Sequence, residues 1–159
     1  MTRTARGFTL IELVVTMAIV GILASVAVPL VELNVQRARE HELRSALRQI
    51  RGALDAHRRA TEEGRVLARA GGSGYPRSLD DLVNGVPDAK SPTTTARIFF
   101  LRRLPRDPFQ PDRDLTAAQT WGLRAYGSPP DAPVEGEDVY DVYSRSGRTG
   151  LNGQPYREW

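Results

Sequence analysis

The chain has 159 residues and no cysteine, so disulfides are excluded and one small domain is the most it can build beside any membrane segment. Lysine and arginine number 22 against 19 acids, but the surplus is local, because residues 71–159 hold eleven basic and twelve acidic side chains. A near-neutral C-terminal part weighs against a nucleic-acid partner, which asks for a basic stripe.

Residues 1–7 are a short leader with Arg3 and Arg6. Residues 7–31 follow as an apolar run with one acid, Glu12. A run of about 20 apolar residues predicts a transmembrane helix, and an ionisable group inside one is costly enough to mark a function. A secretory signal shares the basic start and apolar stretch, and Ser25-Val26-Ala27 could serve as its cleavage site. Against that reading, the run contains Glu12 and continues past Ala27 into Val28-Pro29-Leu30-Val31. The leader arginines favour a cytoplasmic N-terminus, although Arg37, Arg39 and Arg44 lie beyond the run and Glu32, Glu40 and Glu42 offset them only partly. Gly21 and Ser25 have small-xxx-small spacing, which permits close helix approach. Pro29 lacks a backbone donor and is expected to bend or loosen the helix.

Val35, Ala38, Leu43, Ala46, Leu47, Ile50, Ala53, Leu54 and His57 recur at helical spacing among arginines and glutamates, predicting an amphipathic stem over 32–63. One helix from Phe8 to about Glu63 would measure roughly 80 Å. Nine arginines and six acids lie in residues 32–70, and they read as a solvated or subunit-contacting face. Gly64 or the glycines at 71–74 should end the helix. Ser78 is a candidate N-cap for a short helix that Gly85 and Pro87 close; Asp80 and Asp81 are expected on its solvent face. Residues 88–96 read as a surface loop, 98–101 as helix or strand, and Leu104–Phe109 as an extended turn fixed by two prolines. Residues 110–120, with Asp112 and Asp114, read as a loop. Strands are expected at Trp121–Tyr126 and Val139–Ser144, alternating as in a half-buried sheet.

Gly7-Phe8-Thr9-Leu10-Ile11-Glu12 behind a basic leader closely resembles the processing site of type IV pilins and pseudopilins. The Tyr75-Pro76 turn, the Leu104–Phe109 segment, the Trp121 and Tyr140–Ser144 strands, the glycine-rich tail and Trp159 make the whole chain most similar to the major pseudopilin of type II secretion. That resemblance implies an α+β, pilin-like fold: a transmembrane helix over 8–31, the stem, and a periplasmic domain over 64–159 with a short antiparallel sheet. It implies cleavage by a prepilin peptidase between Gly7 and Phe8, N-methylation of Phe8, and Glu12 pairing with the Phe8 amine of a neighbouring subunit. It further implies self-assembly with other pseudopilins on an inner-membrane platform, with melting around the Pro29 kink as the filament forms.

The tail loop of that branch is usually aspartate-rich and resembles a calcium site, whereas residues 144–154 here contain no carboxylate and two arginines. Calcium is therefore not expected, although backbone carbonyls with Asp138 or Asp141 leave a route to it. The expected substitute is a salt bridge from Arg145 or Arg148 to Glu135, Glu137, Asp138 or Asp141. No catalytic residue is expected: His41 and His57 are too far apart to share a helix turn, and no serine lies in a nucleophile-elbow pattern. Both histidines read as stem-packing or surface residues, and Trp121, Tyr126, Tyr140 and Tyr143 as core or subunit contacts. Two other readings stay open, a type IV pilin-like subunit for adhesion, motility or DNA uptake, and a membrane-anchored periplasmic enzyme.

Overall fold

Helix α1 spans Leu10–Glu62, 53 residues, close to the range expected from periodicity. The computed structural model describes residues 7–93 and 95–159, without the side chains of Val26 and Val28. The leader arginines Arg3 and Arg6 lie outside the described residues. Two compact units divide the chain, Met1–Ala38 and Arg39–Trp159.

In the first unit α1 starts on a cap that the apolar pattern concealed. The Glu12 N–H donates to Thr9 Oγ1 at 3.3 Å, so the Thr9 side chain satisfies one of the donors that every helix start leaves open, and the Thr9 carbonyl takes the first intrahelical bond, from the Leu13 N–H at 3.2 Å. Phe8, Leu10, Ile11, Ile22 and Leu23 are exposed, and the helix is long and apolar enough to cross a membrane. Its hydroxyls turn inward on the helix's own backbone: Thr16 donates to the Leu13 carbonyl at 2.9 Å and Ser25 to the Ile22 carbonyl at 2.7 Å. Such internal satisfaction is what hydrocarbon surroundings demand. The helix runs on through Pro29.

In the second unit α1 supplies the core stripe. Leu43, Ala46, Leu47, Ile50, Ala53, Leu54 and His57 are buried, and each large aliphatic contributes about 1.5–3 kcal/mol of burial. Gly64 ends the helix, as expected, with φ 69°. The Gly64 N–H reaches the Thr61 carbonyl and the Arg65 N–H the Ala60 carbonyl, at 2.9 and 2.8 Å, the paired closure that a left-handed glycine permits. Helix α2, Leu79–Asn84, begins after Ser78 and ends at Gly85, φ 74°. Asp81 departs from its expected place on the solvent face: its carboxylate accepts the N–H groups of Arg77 and Ser78 at 3.1 and 3.2 Å, fastening the helix start.

Strands β1, Val86–Pro87, and β2, Arg97–Ile98, form a two-residue antiparallel pair. The ambiguous 98–101 segment is thus strand only at its start. The N–H groups of Phe100 and Leu101 both turn to the Leu82 carbonyl, at 3.0 and 2.9 Å, satisfying an acceptor that the end of α2 leaves open. Within 110–120 the loop tightens into a 3-10 turn, Ala118–Thr120.

Strands β3, Trp121–Arg124, and β4, Asp141–Ser144, pair antiparallel with Trp121 opposite Ser144 and Arg124 opposite Asp141. Both are shorter than expected, because the Val139 N–H leaves to the Pro76 carbonyl at 2.8 Å and the Ala125 N–H to the Val134 carbonyl at 3.0 Å. Burial alternates along β4 but not along β3, where Trp121 and Gly122 are both buried. Gly122 faces Tyr143, whose ring would lie 2.3 Å from an added Cβ. The bare backbone lets that ring close over the strand. A 3-10 turn at Tyr156–Glu158 ends the chain's regular structure.

Candidate functional site

The N-terminal constellation is open and sterically simple. Gly7 has nothing within 4 Å of where a Cβ would stand, and Phe8 is 80% exposed. Glu12 is exposed in the first turn of α1, the end where a carboxylate meets the positive pole of the helix. Thr9 holds the backbone of Glu12, so the acid's place relative to Phe8 is set by a cap as well as by helical spacing.

The tail is fastened by residues that sequence reading treated as solvated charge. Glu40 is only 5% exposed. Its Oε1 accepts the Leu151 N–H at 2.8 Å and the Tyr156 hydroxyl at 2.9 Å. Eleven residues further along α1, the Arg51 guanidinium donates to Asp141 Oδ1 and the Trp159 backbone O, each at 2.7 Å, and to the Val142 carbonyl at 3.2 Å. Asp107, from the Leu104–Phe109 segment, accepts the Phe109 N–H at 2.8 Å and the Ser144 hydroxyl at 2.5 Å. The only signals for these roles were a glutamate adjoining a buried-type spacing at 43, 46 and 47, and an aspartate between two prolines.

Of the expected tail salt bridges, Arg145 to Glu135 forms at 3.0 Å. Both side chains are about half exposed, so the pair contributes at most about 1 kcal/mol. Arg148 instead lies over the Phe109 ring, 5.6 Å from its centroid. Asp138 accepts from the Ser73 hydroxyl and, at 2.8 Å, from the Tyr126 N–H, and Asp141 is held by Arg51. Among the described residues no three His, Cys, Asp or Glu side chains gather as a ligand set would.

His41 is exposed and His57 buried, so they share no site. His57 Nδ1 lies 3.0 Å from the Gly74 carbonyl, and its ring packs 5.2 Å from Phe100; burial pushes its pKa below 6.5. A cavity of about 640 Å³ adjoins it, bordered by Thr61, Tyr75, Asp81 and Asp138. Trp121 is core, its Nε1–H donated to the Pro105 carbonyl at 2.9 Å. Tyr75 and Tyr126 stack, and Tyr140 packs edge-on against both. The Arg58 guanidinium lies over the Tyr75 and Tyr126 rings at 5.1 and 5.4 Å. Arg65 pairs with Asp88 at 2.7 Å, holding that carboxyl below its usual range.

Comparison with known proteins gives a family for the chain. Residues 2–28 match the prokaryotic N-terminal methylation motif. The chain is 31% identical to type II secretion system core protein G of Klebsiella pneumoniae over 84% of its own length and 90% of the relative. With the core protein G of Dickeya chrysanthemi it shares 28% identity over 96% and 97% of the two chains, and with that of Aeromonas hydrophila 32% over 67% and 69%. No solved structure gives a significant match. The methylation motif and alignments that cover most of both chains have one reading: the chain belongs to the type II secretion system core protein G family.

Proposed function

We propose that the chain is a structural subunit of the type II secretion pseudopilus, processed at its N-terminus and assembled from the inner membrane into a periplasmic filament that drives export of folded proteins. The observation that carries this is the junction of an open glycine, an exposed phenylalanine and a capped helix start with an acid in its first turn. A prepilin peptidase would cut between Gly7 and Phe8, and methylation would follow on the Phe8 amine. That amine is a cation at the positive end of α1, where the helix dipole disfavours it. Glu12 supplies the compensating charge, and in a filament the Phe8 amine of a neighbouring copy satisfies the carboxylate that hydrocarbon would reject.

Self-assembly, an inner-membrane platform and other pseudopilins are the partners of this function, which is mechanical rather than catalytic. Pro29 leaves the Ser25 carbonyl without its intrahelical donor, which makes this turn the place where α1 yields during extraction from lipid. The intact mass of protein extracted from membranes tests the processing step: it should equal that of residues 8–159 plus one methyl group, and any other N-terminus overturns it. Glu12→Ala should leave insertion and cleavage intact while lowering filament yield; an unchanged yield would remove the pairing role.

A further inference from the structure

We propose that the Glu40 carboxylate orders the C-terminal loop of this chain in place of a bound calcium ion. A loop that holds calcium turns six to eight oxygens toward one point, normally with carboxylates among them. Residues 144–154 offer no carboxylate and carry Arg145 and Arg148. The two nearby acids that could have been recruited are engaged elsewhere, Asp138 with Ser73 and Tyr126 and Asp141 with Arg51. The residues present therefore do not fit the ion.

What the loop turns inward is the opposite polarity. The Leu151 N–H and the Tyr156 O–H converge on Oε1 of Glu40, at 2.8 and 2.9 Å, across 111 and 116 residues of sequence. Glu40 is an internal anion collecting donors where a cation would collect acceptors. The rest of the loop closes on itself around that point. The Gly150 N–H reaches the Gln154 carbonyl at 2.9 Å, the Gly153 N–H the Gly150 carbonyl at 2.9 Å, and the Tyr156 N–H the Arg148 carbonyl at 3.2 Å. Gly153 takes φ 80° to make the turn. Gly150 has no room for a side chain, because a Cβ there would stand 2.6 Å from Trp159 and 2.9 Å from Asn152.

Trypsin reads the order of this loop directly, since Arg145 and Arg148 are its own cleavage sites. The experiment uses the full chain in detergent, with cleavage after Arg145 and Arg148 followed by mass, in calcium and in a calcium chelator. The wild-type rate should be the same in both. Glu40→Ala should raise it about tenfold or more, with no slowing by calcium. Tyr156→Phe keeps the ring against Phe109 and Trp159 but removes one donor, and should raise it about threefold to tenfold. Acceleration of wild-type cleavage by the chelator overturns the proposal, as does an unchanged rate in either variant. The readout needs no filament, so failure of the assembly function would leave it standing or falling on its own.

Discussion

Replacing Asp107 with alanine should unfold the second unit more readily than any single surface change. The side chain is 2% exposed and spends both oxygens, Oδ1 on the Phe109 N–H and Oδ2 on the Ser144 hydroxyl. Its own N–H is received by Thr120 Oγ1 at 3.2 Å, so one residue joins the Leu104–Phe109 turn to the end of β4 and to the approach of β3. Alanine leaves two buried donors. The hydroxyl can rotate and sits near the low end of the penalty for an unmade bond, about 1 kcal/mol, whereas the fixed N–H costs about 2 kcal/mol. The sum of about 3 kcal/mol lowers a urea midpoint by roughly 1–3 M at a slope of about 1–3 kcal/mol/M. Asparagine keeps an oxygen for Phe109 and presents an amide that the Ser144 oxygen can accept, so Asp107→Asn should cost about 1 kcal/mol. Urea denaturation of the full chain in detergent micelles, followed by tryptophan emission, reports on this because Trp121 is fully buried in β3. A midpoint for Asp107→Ala that matches wild type, or an asparagine variant as unstable as the alanine one, would refute the hydrogen-bond account.

Gly122→Ala places a Cβ 2.3 Å from the Tyr143 ring and should cost about 1–3 kcal/mol by overpacking; adding Tyr143→Ala should cost less than the sum of the two single changes, and strict additivity in the same denaturation assay would count against the clash. Burial holds the folded pKa of His57 below 6.5, so between the folded and unfolded values the unfolded chain binds more protons and stability rises with pH. The contribution is complete above 6.5 and lost as pH falls through that value toward the folded pKa. Urea midpoints measured from about pH 7.5 to 5.5 should fall in wild type and fall less in His57→Gln; equal slopes would show that His57 is not the titrating group.

The helical part of the fold was legible because its signals are local. Apolar spacing at 43, 46, 47, 50, 53 and 54 marked the buried stripe of α1, Gly64 its end, and Ser78 with Gly85 the limits of α2. The strands were placed but drawn too long, since periodicity cannot reveal that the Val139 N–H is claimed by Pro76 or the Ala125 N–H by Val134. The motif around Gly7 and Glu12 was legible for a different reason. It is short, contiguous and chemically odd, an acid where an apolar helix should have none.

Glu40, Arg51 and Asp107 were illegible because each is a charge whose partners lie 111, 90 and 37 residues away at Leu151, Asp141 and Ser144. On a helix wheel a glutamate beside a leucine stripe belongs at the solvated edge, and nothing in its neighbours says that a distant loop will cover it. These three residues also share a function: each joins the C-terminal segments to α1 or to the proline-bounded turn through polar groups rather than apolar contact. In a chain without cysteine, these hydrogen bonds add to the apolar packing of Tyr156 against Phe109 and Trp159 in fixing the tail, and buried ones work only when every member is satisfied. The arrangement therefore stabilises less by its net strength than by the cost of breaking it, because removing the Glu40 or the Asp107 carboxylate leaves the donors turned to it without that acceptor.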